Sequence, residues 1–294
     1  MRKENRIIVT GAKGQLGFEC VRELKERGYT NVLGIDIDDL DITDKKAVKA
    51  FMESYKPDVI MHNAGWTAVD KAEEFPELVY KVNALGPKYL AEACKEFGAK
   101  MVYISTDYVF EGTGNQPYEI DSPKNGLSIY GKTKSAGEDF VMSTIDKYFI
   151  VRISWAFGKN GNNFVKTMLK LAYSGKNQLN IVGDQIGSVT YMYDLSKLLC
   201  DMIETEKYGV YHATNEGYIS WADFAKEIFL QSGLNVKVNA VSTEEYKKLN
   251  PQQADRPLNS RLSKSSLDKA GFARLPNWKD ALSRFLKEIN FGRE

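Results

Sequence analysis

The sequence predicts an α/β fold, in which a doubly wound parallel sheet is followed by a smaller C-terminal lobe. Through the first half of the chain, short apolar and β-branched runs alternate with helix-like segments, the pattern of strand–helix–strand units. A glycine-punctuated turn closes the first run, and the later part of the chain has shorter helices and turn-rich links without a second turn of that kind. We therefore expect one nucleotide-binding sheet with a separate lobe beside it.

The composition is that of an ordinary globular protein and argues against several classes of partner. The 294 residues are 43% hydrophobic, carry a formal net charge of +1 and show no basic stripe, so we expect no nucleic acid and no membrane as partner. The charged residues 1–6 precede an apolar run that is too short for a signal peptide or a membrane span. We therefore expect a cytoplasmic location.

Cysteine and histidine usage argues against disulfides and against histidine-based catalysis. Cys20, Cys94 and Cys200 are odd in number, widely separated and set in helix-like contexts, so we interpret them as small core residues. His62 and His212 are the only histidines, and neither has a metal-like neighbour in the sequence.

The first strand, turn and helix form a phosphate-binding pattern. The apolar run 7–10 is followed by Gly11, Gly14 and Gly17, and then by 18–25 at helical spacing. The first glycine permits a sharp exit from the strand, the second lets a ligand approach bare backbone, and the third lets the helix lie close to the sheet. Unpaired N–H groups at the helix start then face an anion. The pattern predicts a Rossmann-type dinucleotide site.

An acid at the end of the second strand supports this interpretation. The run 31–35 ends in Asp36, about 20 residues beyond the glycines, where a dinucleotide fold places the acid that bonds the adenosine ribose hydroxyls. A carboxylate there repels a 2′-phosphate, so NADH is expected to be preferred over NADPH. The alternative is a solvated acid at a strand end.

The third strand–helix unit places small residues at the sheet edge. A buried strand at 57–62 runs directly into 63–67, where small residues allow the ribose and pyrophosphate of a cofactor to lie against backbone. In the helix predicted for 76–94, Asn83 has a poor helix propensity. It either bonds neighbouring backbone or is simply exposed, and the sequence leaves a functional role open.

The fourth unit carries the candidate chemistry. A strand at 100–104 ends in Ser105 and Thr106, and the loop from Glu111 to Leu127, the longest break so far, is expected to fold over the site. A helix follows that contains Tyr130 and Lys134, which lie four apart and therefore on one helical face.

The position of the tyrosine–lysine pair in the predicted fold, rather than its spacing, indicates a catalytic role. A chain with sixteen tyrosines gives one or two such spacings by chance, and the alternative is a surface pair. Here the pair follows a strand that delivers Thr106 to the edge where a substrate would stand. Reduction of a ketone needs a proton donor, which the phenol of Tyr130 can be. The ammonium of Lys134 favours the phenolate and can also bond a nicotinamide ribose. The Thr106 hydroxyl can bond the carbonyl oxygen.

At this point the motifs resemble a known family. The glycine turn, the stretch 105–110 and the stretch 130–134 look like the extended short-chain dehydrogenase/reductases that act on nucleotide sugars, and most resemble the reductases that complete a deoxysugar on dTDP. The likeness continues to the end of the chain in four more motifs: Thr67–Glu73, Asn162–Leu169, Asp184–Gly187 and Arg256–Leu262. The resemblance implies NAD(P)H-dependent reduction of the C4 ketone of dTDP-4-dehydro-6-deoxy-L-mannose, for surface polysaccharide.

The resemblance also implies site residues. The catalytic residues would be Thr106, Tyr130 and Lys134. Those at the cofactor would be Gly11, Gly14, Gln15, Leu16, Gly17, Asp36, Asp41, Ile42, Ala64, Gly65, Trp66, Thr67, Tyr130 and Lys134. Those at the substrate would be Val69, Thr106, Asp107, Tyr108, Tyr130, Trp155, Asn163 and Arg256. Trp155 could equally be a core residue. Arg256 and Arg261 are candidates for bonding a diphosphate, with surface salt bridges as the alternative, and Pro257 favours Arg256 because it fixes the adjoining backbone.

The domain division also follows from the resemblance. In this superfamily the chain after the catalytic helix completes the sheet and builds a substrate lobe. Residues 1–154, completed by roughly 184–213, would bind the dinucleotide, and 155–183 with 214–294 would form the lobe.

Two features depart from the family. Val189 stands where the family has proline, which leaves the conformation of that loop open. Some members bind Mg²⁺ across a homodimer interface through several glutamates. Glu19 matches one of these positions and the others are not placed in this sequence, so metal binding and dimer formation stay open.

Other functions remain in competition. A dehydratase or epimerase of the same fold is disfavoured because Asp107 is followed by Tyr108 rather than by a second acid. A reductase of another 4-keto nucleotide sugar is harder to separate. A non-catalytic regulatory subunit that resembles the reductase would have no need for Thr106, Tyr130 and Lys134.

Overall fold

The computed structural model describes residues 1–290. The elements of the first half are β1 Arg6–Thr10, α1 Gln15–Glu26, β2 Asn31–Ile35, α2 Lys45–Tyr55, β3 Val59–His62, α3 Val69–Glu74, α4 Pro76–Tyr80, α5 Gly86–Phe97, β4 Lys100–Thr106, α6 Ile129–Thr144 and β5 Tyr148–Ile153. Those of the second half are β6 Ala156–Phe157, α7 Phe164–Tyr173, β7 Gln178–Val182, β8 Ile186–Gly187, β9 Thr190–Tyr191, α8 Met192–Ile203, β10 Gly209–His212, β11 Asn215–Glu216, β12 Ile219–Ser220, α9 Trp221–Gln231, β13 Lys237–Val241, α10 Thr243–Leu249, β14 Asn259–Ser260, α11 Ser265–Ala270, β15 Leu275–Asn277 and α12 Trp278–Ile289.

A six-stranded parallel sheet in the order β10-β5-β4-β3-β1-β2 forms the centre of the molecule. The side chains of β1 alternate between its faces, as the pleat requires. Ile7 and Val9 pack against α1 and α8 on one face, and Ile8 packs against α2, α5 and α6 on the other. Helices on both faces of a parallel sheet confirm the predicted doubly wound α/β fold.

A third apolar cluster lies outside the sheet layers, and the part of the structure packed around it is called the lobe below. It is built from β6, α7, α9 and α12, with Phe157, Phe224 and Phe285 fully buried at its centre. The chain then returns to the sheet, because Leu267 and Leu275 belong to the cluster on the α1 and α8 face.

The helix predicted for 76–94 is interrupted. A π-helical turn at Lys81–Leu85 separates α4 from α5, and the N–H of Gly86 donates to the carbonyl of Lys81, five residues back. Pro87 has no N–H to give to the carbonyl of Asn83, and that carbonyl accepts a bond from the Tyr103 hydroxyl instead, at 3.1 Å. Such turns concentrate at functional sites.

Two further expectations concern cysteines and membrane spans. All three cysteines are free and buried in the clusters that flank the sheet, which confirms them as core residues. Within residues 1–290, none of the helices has the length and apolar character needed to cross a bilayer.

Candidate active site

A cleft of about 800 Å³ opens at the carboxyl ends of β1, β3 and β4, with one wall formed by the lobe. Most of the residues predicted for the site line it: Gly11, Gly14, Gln15, Leu16, Asp36, Asp41, Ile42, Ala64, Gly65, Trp66, Thr67, Val69, Thr106, Asp107, Tyr108, Tyr130, Lys134 and Trp155. Gly17, Asn163 and Arg256 lie behind this lining, at positions described below.

The glycine turn leaves the start of α1 open. Gly11 has φ +66°, and a Cβ at Gly17 would lie 2.1 Å from the Gly11 carbonyl oxygen, so Gly17 is required by packing. Gly14 occupies the N-cap of α1 and provides no side-chain cap. The first N–H groups of this helix therefore face the cleft without a side-chain acceptor, which suits a phosphate.

The far end of the cleft, beyond β2, is more exposed and more polar. Backbone N–H groups of Lys13 and Ile37 donate to the Asp36 carboxylate at 3.0 and 2.9 Å, so the side chain is held in place by main chain. The Lys13 ammonium lies 2.5 Å from Asp38, and both side chains are largely exposed. Such an exposed pair contributes little to stability, so the Lys13 ammonium is free to change partners.

Asn83 fixes the loop after β3. Its side-chain oxygen accepts a bond from the N–H of Trp66 at 2.8 Å, and its amide nitrogen donates to the Trp66 carbonyl at 3.1 Å. The side chain is only 1% exposed. Asn83 is therefore not exposed, and its side chain bonds backbone that lies 17 residues away in the sequence rather than its immediate neighbours. The loop at 63–67 is held rigidly beside the cleft.

Lys134 projects from α6 into the cleft. Its ammonium donates to the carbonyl of Ile104 at 2.6 Å and lies 4.1 Å from the centre of the Tyr103 ring. Burial lowers the pKa of Lys134 to about 7, although the negative charge of Glu138 raises it. The amine is therefore partly charged at neutral pH, and its remaining donors are free for a ligand.

The side chains of Tyr130 and Thr106 interact in the same cleft as Lys134. Burial raises the pKa of the Tyr130 phenol, and a hydrogen bond with Thr106 lowers it. The Thr106 hydroxyl accepts a bond from the N–H of Tyr108 at 3.2 Å and donates to Asp107 at 3.1 Å. The pKa of Asp107 is raised to about 6 by burial, while the nearby Ser260 hydroxyl and the hydrogen bond from Thr106 lower it. A proton donor, a hydroxyl and a cation thus share one wall.

Arg256 contacts this wall from behind. Its guanidinium donates to the Tyr108 hydroxyl at 3.1 Å and to both carboxylate oxygens of Asp70 at 2.8 Å. The Tyr108 ring in turn packs edge to face on Tyr130, with ring centres 5.4 Å apart. Arg261 donates to the side chain of Asn259 at 2.9 Å. Arg256 therefore links the lobe to α3 and to the catalytic wall.

Two tryptophans form the opposite wall. Trp155 and Trp221 stack with ring centres 3.7 Å apart, and both line the cleft. Trp155 has φ +48°, a strained value for a residue with a Cβ. A Cβ at Gly187 would lie 3.0 Å from the Trp155 ring. The sequence motifs did not identify Trp221, because its partner is remote in sequence and its only local signal is an aromatic residue at a helix start.

Asn163, Val189 and Glu19 have structural partners. Asn163 caps α7 and donates to the side chain of Gln15 at 3.0 Å, so it touches the glycine turn rather than the cleft. Val189 is fully buried in the cluster of the lobe. Glu19 is buried beside Arg22 at 2.6 Å, and burial raises its pKa to about 7. Among residues 1–290 no cluster of His, Cys, Asp and Glu has a metal-binding arrangement.

The loop from Glu111 to Leu127 differs from expectation, because none of its residues lines the cleft in the described part of the chain. It pairs with the C-terminal segment instead. The side chain of Asn259 donates to the carbonyls of Thr113 and Gln116 at 3.1 and 2.8 Å. The N–H of Tyr118 donates to the backbone carbonyl of Arg261 at 2.9 Å.

Comparison with known proteins gives a consistent result. A family model described as the RmlD substrate binding domain matches residues 5–291. The chain is 41% identical to the spore coat polysaccharide biosynthesis protein SpsK of Bacillus subtilis, over 96% of this chain and 97% of that protein. It is 40% identical to the dTDP-4-dehydrorhamnose reductase of Aggregatibacter actinomycetemcomitans, over 94% and 97%. A crystal structure of the dTDP-4-dehydrorhamnose reductase of Bacillus anthracis in complex with NADP superposes with a TM-score of 0.92 at 42% identity, over 97% and 99%.

Proposed function

This chain belongs to the family of the RmlD substrate binding domain, and from that premise we propose that it reduces dTDP-4-dehydro-6-deoxy-L-mannose at C4 to dTDP-L-rhamnose. It is an NAD(P)H-dependent oxidoreductase of polysaccharide precursor synthesis. The observation that carries the proposal is the meeting of Thr106, Tyr130 and Lys134 in one cleft that continues to the glycine turn.

The residues of the cleft fit a dinucleotide. The uncapped start of α1 suits the pyrophosphate. The loop held by Asn83 presents backbone at Ala64, Gly65 and Trp66, against which a ribose can lie. When bound, the nicotinamide supplies the hydride that reduces the ketone. We infer that Lys134 holds the adjacent ribose with the donors that Ile104 leaves free.

Tyr130 is the proton donor in this proposal. Its hydroxyl gives a proton to the oxygen of C4 as that oxygen becomes an alkoxide, which requires the phenol to be protonated before the step. Burial keeps it so. The Lys134 ammonium, one turn along the helix, stabilises the phenolate that remains. The Thr106 hydroxyl has one proton, which it donates to Asp107 in the structure. On substrate binding it turns to donate that proton to the same oxygen and so fixes its direction.

The sugar and nucleotide would be held by both walls. We infer that Trp155 and Trp221 contact the sugar or the base with their ring faces. Asp107 and Tyr108 lie beside the proton donor and would bond sugar hydroxyls. Val69 also lines the cleft. Arg256 acts from the second layer, because two of its nitrogens are already bound by Asp70 and Tyr108.

The preference for NADH is a finer proposal. The Asp36 carboxylate is fixed by two backbone bonds, so it cannot turn away from a 2′-phosphate. Measured kcat/KM is expected to be higher for NADH than for NADPH, and a higher value for NADPH would contradict it. The cytoplasmic location and a homodimer stay predictions, and the role of Glu19 in metal binding gains no support from its pairing with Arg22.

One assay tests the function. Purified protein is mixed with NADH and dTDP-4-dehydro-6-deoxy-L-mannose, and both NADH loss and the sugar product are followed. The proposal predicts one dTDP-L-rhamnose formed for each NADH consumed. If NADH binds but this sugar is not reduced, other 4-keto nucleotide sugars are assayed, and turnover of one of them reassigns the substrate. No turnover with any of them would favour a non-catalytic subunit.

A further inference from the structure

A buried ion pair lies beneath the catalytic helix. Glu138 of α6 and Arg152 of β5 are 0% and 2% exposed. The Arg152 Nε donates to Glu138 Oε1 at 2.8 Å, and the Nη2 donates to Oε2 at 2.7 Å. This is a bidentate pair of good geometry. Buried pairs are expensive to desolvate and are weak evidence of stabilisation, so its place next to the site calls for another reason.

The surroundings keep Glu138 ionised. Burial by itself would raise the pKa of Glu138, but Arg152 and the more distant Lys124 outweigh burial and lower it. The last Arg152 nitrogen donates to the carbonyl of Ile120 at 2.8 Å and lies 3.3 Å from the His212 ring. Burial holds His212 neutral, with its pKa lowered to about 3. The Glu138 carboxylate is therefore ionised although it is buried.

Lys134 and Glu138 are four apart on α6, so they share one face, with a separation of one turn. The Lys134 ammonium contacts the Tyr103 ring and the Ile104 carbonyl of β4, and its charge acts on His62 of β3. Burial and the charge of Lys134 hold His62 neutral, with its pKa lowered to about 3. Glu138 is thus the source of negative charge that offsets the burial of this lysine.

We propose that Glu138 is a positioning residue that keeps the Lys134 amine charged in its buried site, and that Arg152 holds Glu138 ionised and in register for this role. The effect on turnover rests on the proposed reductase function. The effect on the lysine itself does not, and it can be measured without substrate or cofactor.

The test is competitive labelling of the whole protein with trace acetic anhydride at a series of pH values, with peptide mass spectrometry to follow Lys134. We expect Glu138→Gln to lower the pKa of Lys134 by about one unit. Asp139→Asn is the matched control, because Asp139 carries the same charge one residue on, is exposed, and pairs with the same Lys124 at 2.5 Å. It is expected to leave Lys134 unchanged.

Arg152 is tested by a second pair of variants. Arg152→Met should lower the pKa of Lys134, because it lets Glu138 take up a proton, whereas Arg152→Lys retains the charge and should leave it near the wild-type value. An unchanged pKa in folded Glu138→Gln would overturn the proposal. If Glu138→Gln does not fold, an equal pKa of Lys134 in Arg152→Met and Arg152→Lys overturns the proposal instead.

Turnover gives an independent readout. The charged lysine is the acid form, so reductive kcat/KM falls as pH rises through its pKa. A lower pKa in Glu138→Gln moves this falling limb to lower pH, with about a tenfold loss on the alkaline side for a shift of one unit. An inactive wild type would count against the reductase function, while the labelling result would still decide the role of Glu138.

Discussion

The two walls of the cleft are built in different ways. On the nucleotide side, the glycine turn and Tyr130 with Lys134 each come from one short segment, and parallel strands bring those segments to a common edge. On the lobe side, Trp155 meets Trp221 across the fold, and Arg256 reaches Asp70 over 186 residues. Changes on the first wall should therefore affect chemistry or cofactor binding, and changes on the second should affect the sugar substrate.

The largest effect is expected at Tyr130. Tyr130→Phe removes the proton donor while leaving the ring, so kcat should fall by about 10²–10⁴-fold with NADH affinity retained. Steady-state kinetics and fluorescence titration with NADH measure the two quantities. Tyr108→Phe is the control, since it removes the neighbouring phenol hydroxyl that accepts from Arg256, and a much smaller loss is expected. Comparable turnover in Tyr130→Phe and wild type would remove Tyr130 from the chemistry.

The second largest effect is expected at Gly17, in the turn on the nucleotide side of the cleft. The Cβ of Gly17→Ala would lie 2.1 Å from backbone, so the turn must open. Overpacking costs about 1–3 kcal/mol, and NADH should bind about 10–100-fold more weakly. Gly14→Ala is the comparison for packing, because its Cβ would lie 3.1 Å from the same carbonyl oxygen and should cost less stability, although it crowds the backbone that a phosphate approaches. Equal free energies of unfolding in these two variants would contradict this account of the turn.

A glycine that packs behind Trp155 should behave differently. At Gly187→Ala the Cβ would lie 2.8 Å from the Ser260 side chain and 3.0 Å from the Trp155 ring. We expect the KM for the sugar to rise about tenfold, because displacement of the Trp155 ring should cost about 1–2 kcal/mol of the binding free energy of the sugar. The affinity for NADH should not change. Weaker NADH binding, without a change in KM for the sugar, would show that the two walls are not separable.

The smallest effect is expected at the link between the lobe and α3. Asp70→Asn weakens the ion pair with Arg256, in which the aspartate side chain is half exposed. We therefore expect the KM for the sugar to rise two- to fivefold, which corresponds to about 0.5–1 kcal/mol of binding free energy. Asp255→Asn is the control, because Asp255 adjoins Arg256 in sequence but pairs with Lys247. A large loss of kcat in Asp70→Asn would place this link in the chemistry instead.

The contrast between the walls also explains what the sequence could predict. The parallel sheet, the turn and the face shared by Tyr130 and Lys134 follow from local periodicity and spacing, which each segment contains by itself. The partners of Arg256, the stack of Trp221 on Trp155 and the cap that joins Asn163 to Gln15 depend on segments far apart in the chain.

Two elements differed from expectation for physical reasons. The helix predicted for 76–94 breaks where Pro87 removes a donor and the Asn83 carbonyl accepts a bond from the Tyr103 hydroxyl instead. The loop from Glu111 to Leu127 pairs with the C-terminal segment through Asn259. Its Gly-rich and acidic composition indicated a loop but carried no information on its partner.

In the proposed reaction the cleft holds the nicotinamide against C4 of the sugar, beside Tyr130. The most direct measurement uses NADH deuterated at the transferring position of the nicotinamide, with the sugar product examined by NMR and mass spectrometry. The account predicts one deuterium, at C4 of dTDP-L-rhamnose, in a single configuration. Deuterium at another carbon, a mixture of configurations at C4, or NADH oxidation without label in the sugar would contradict it.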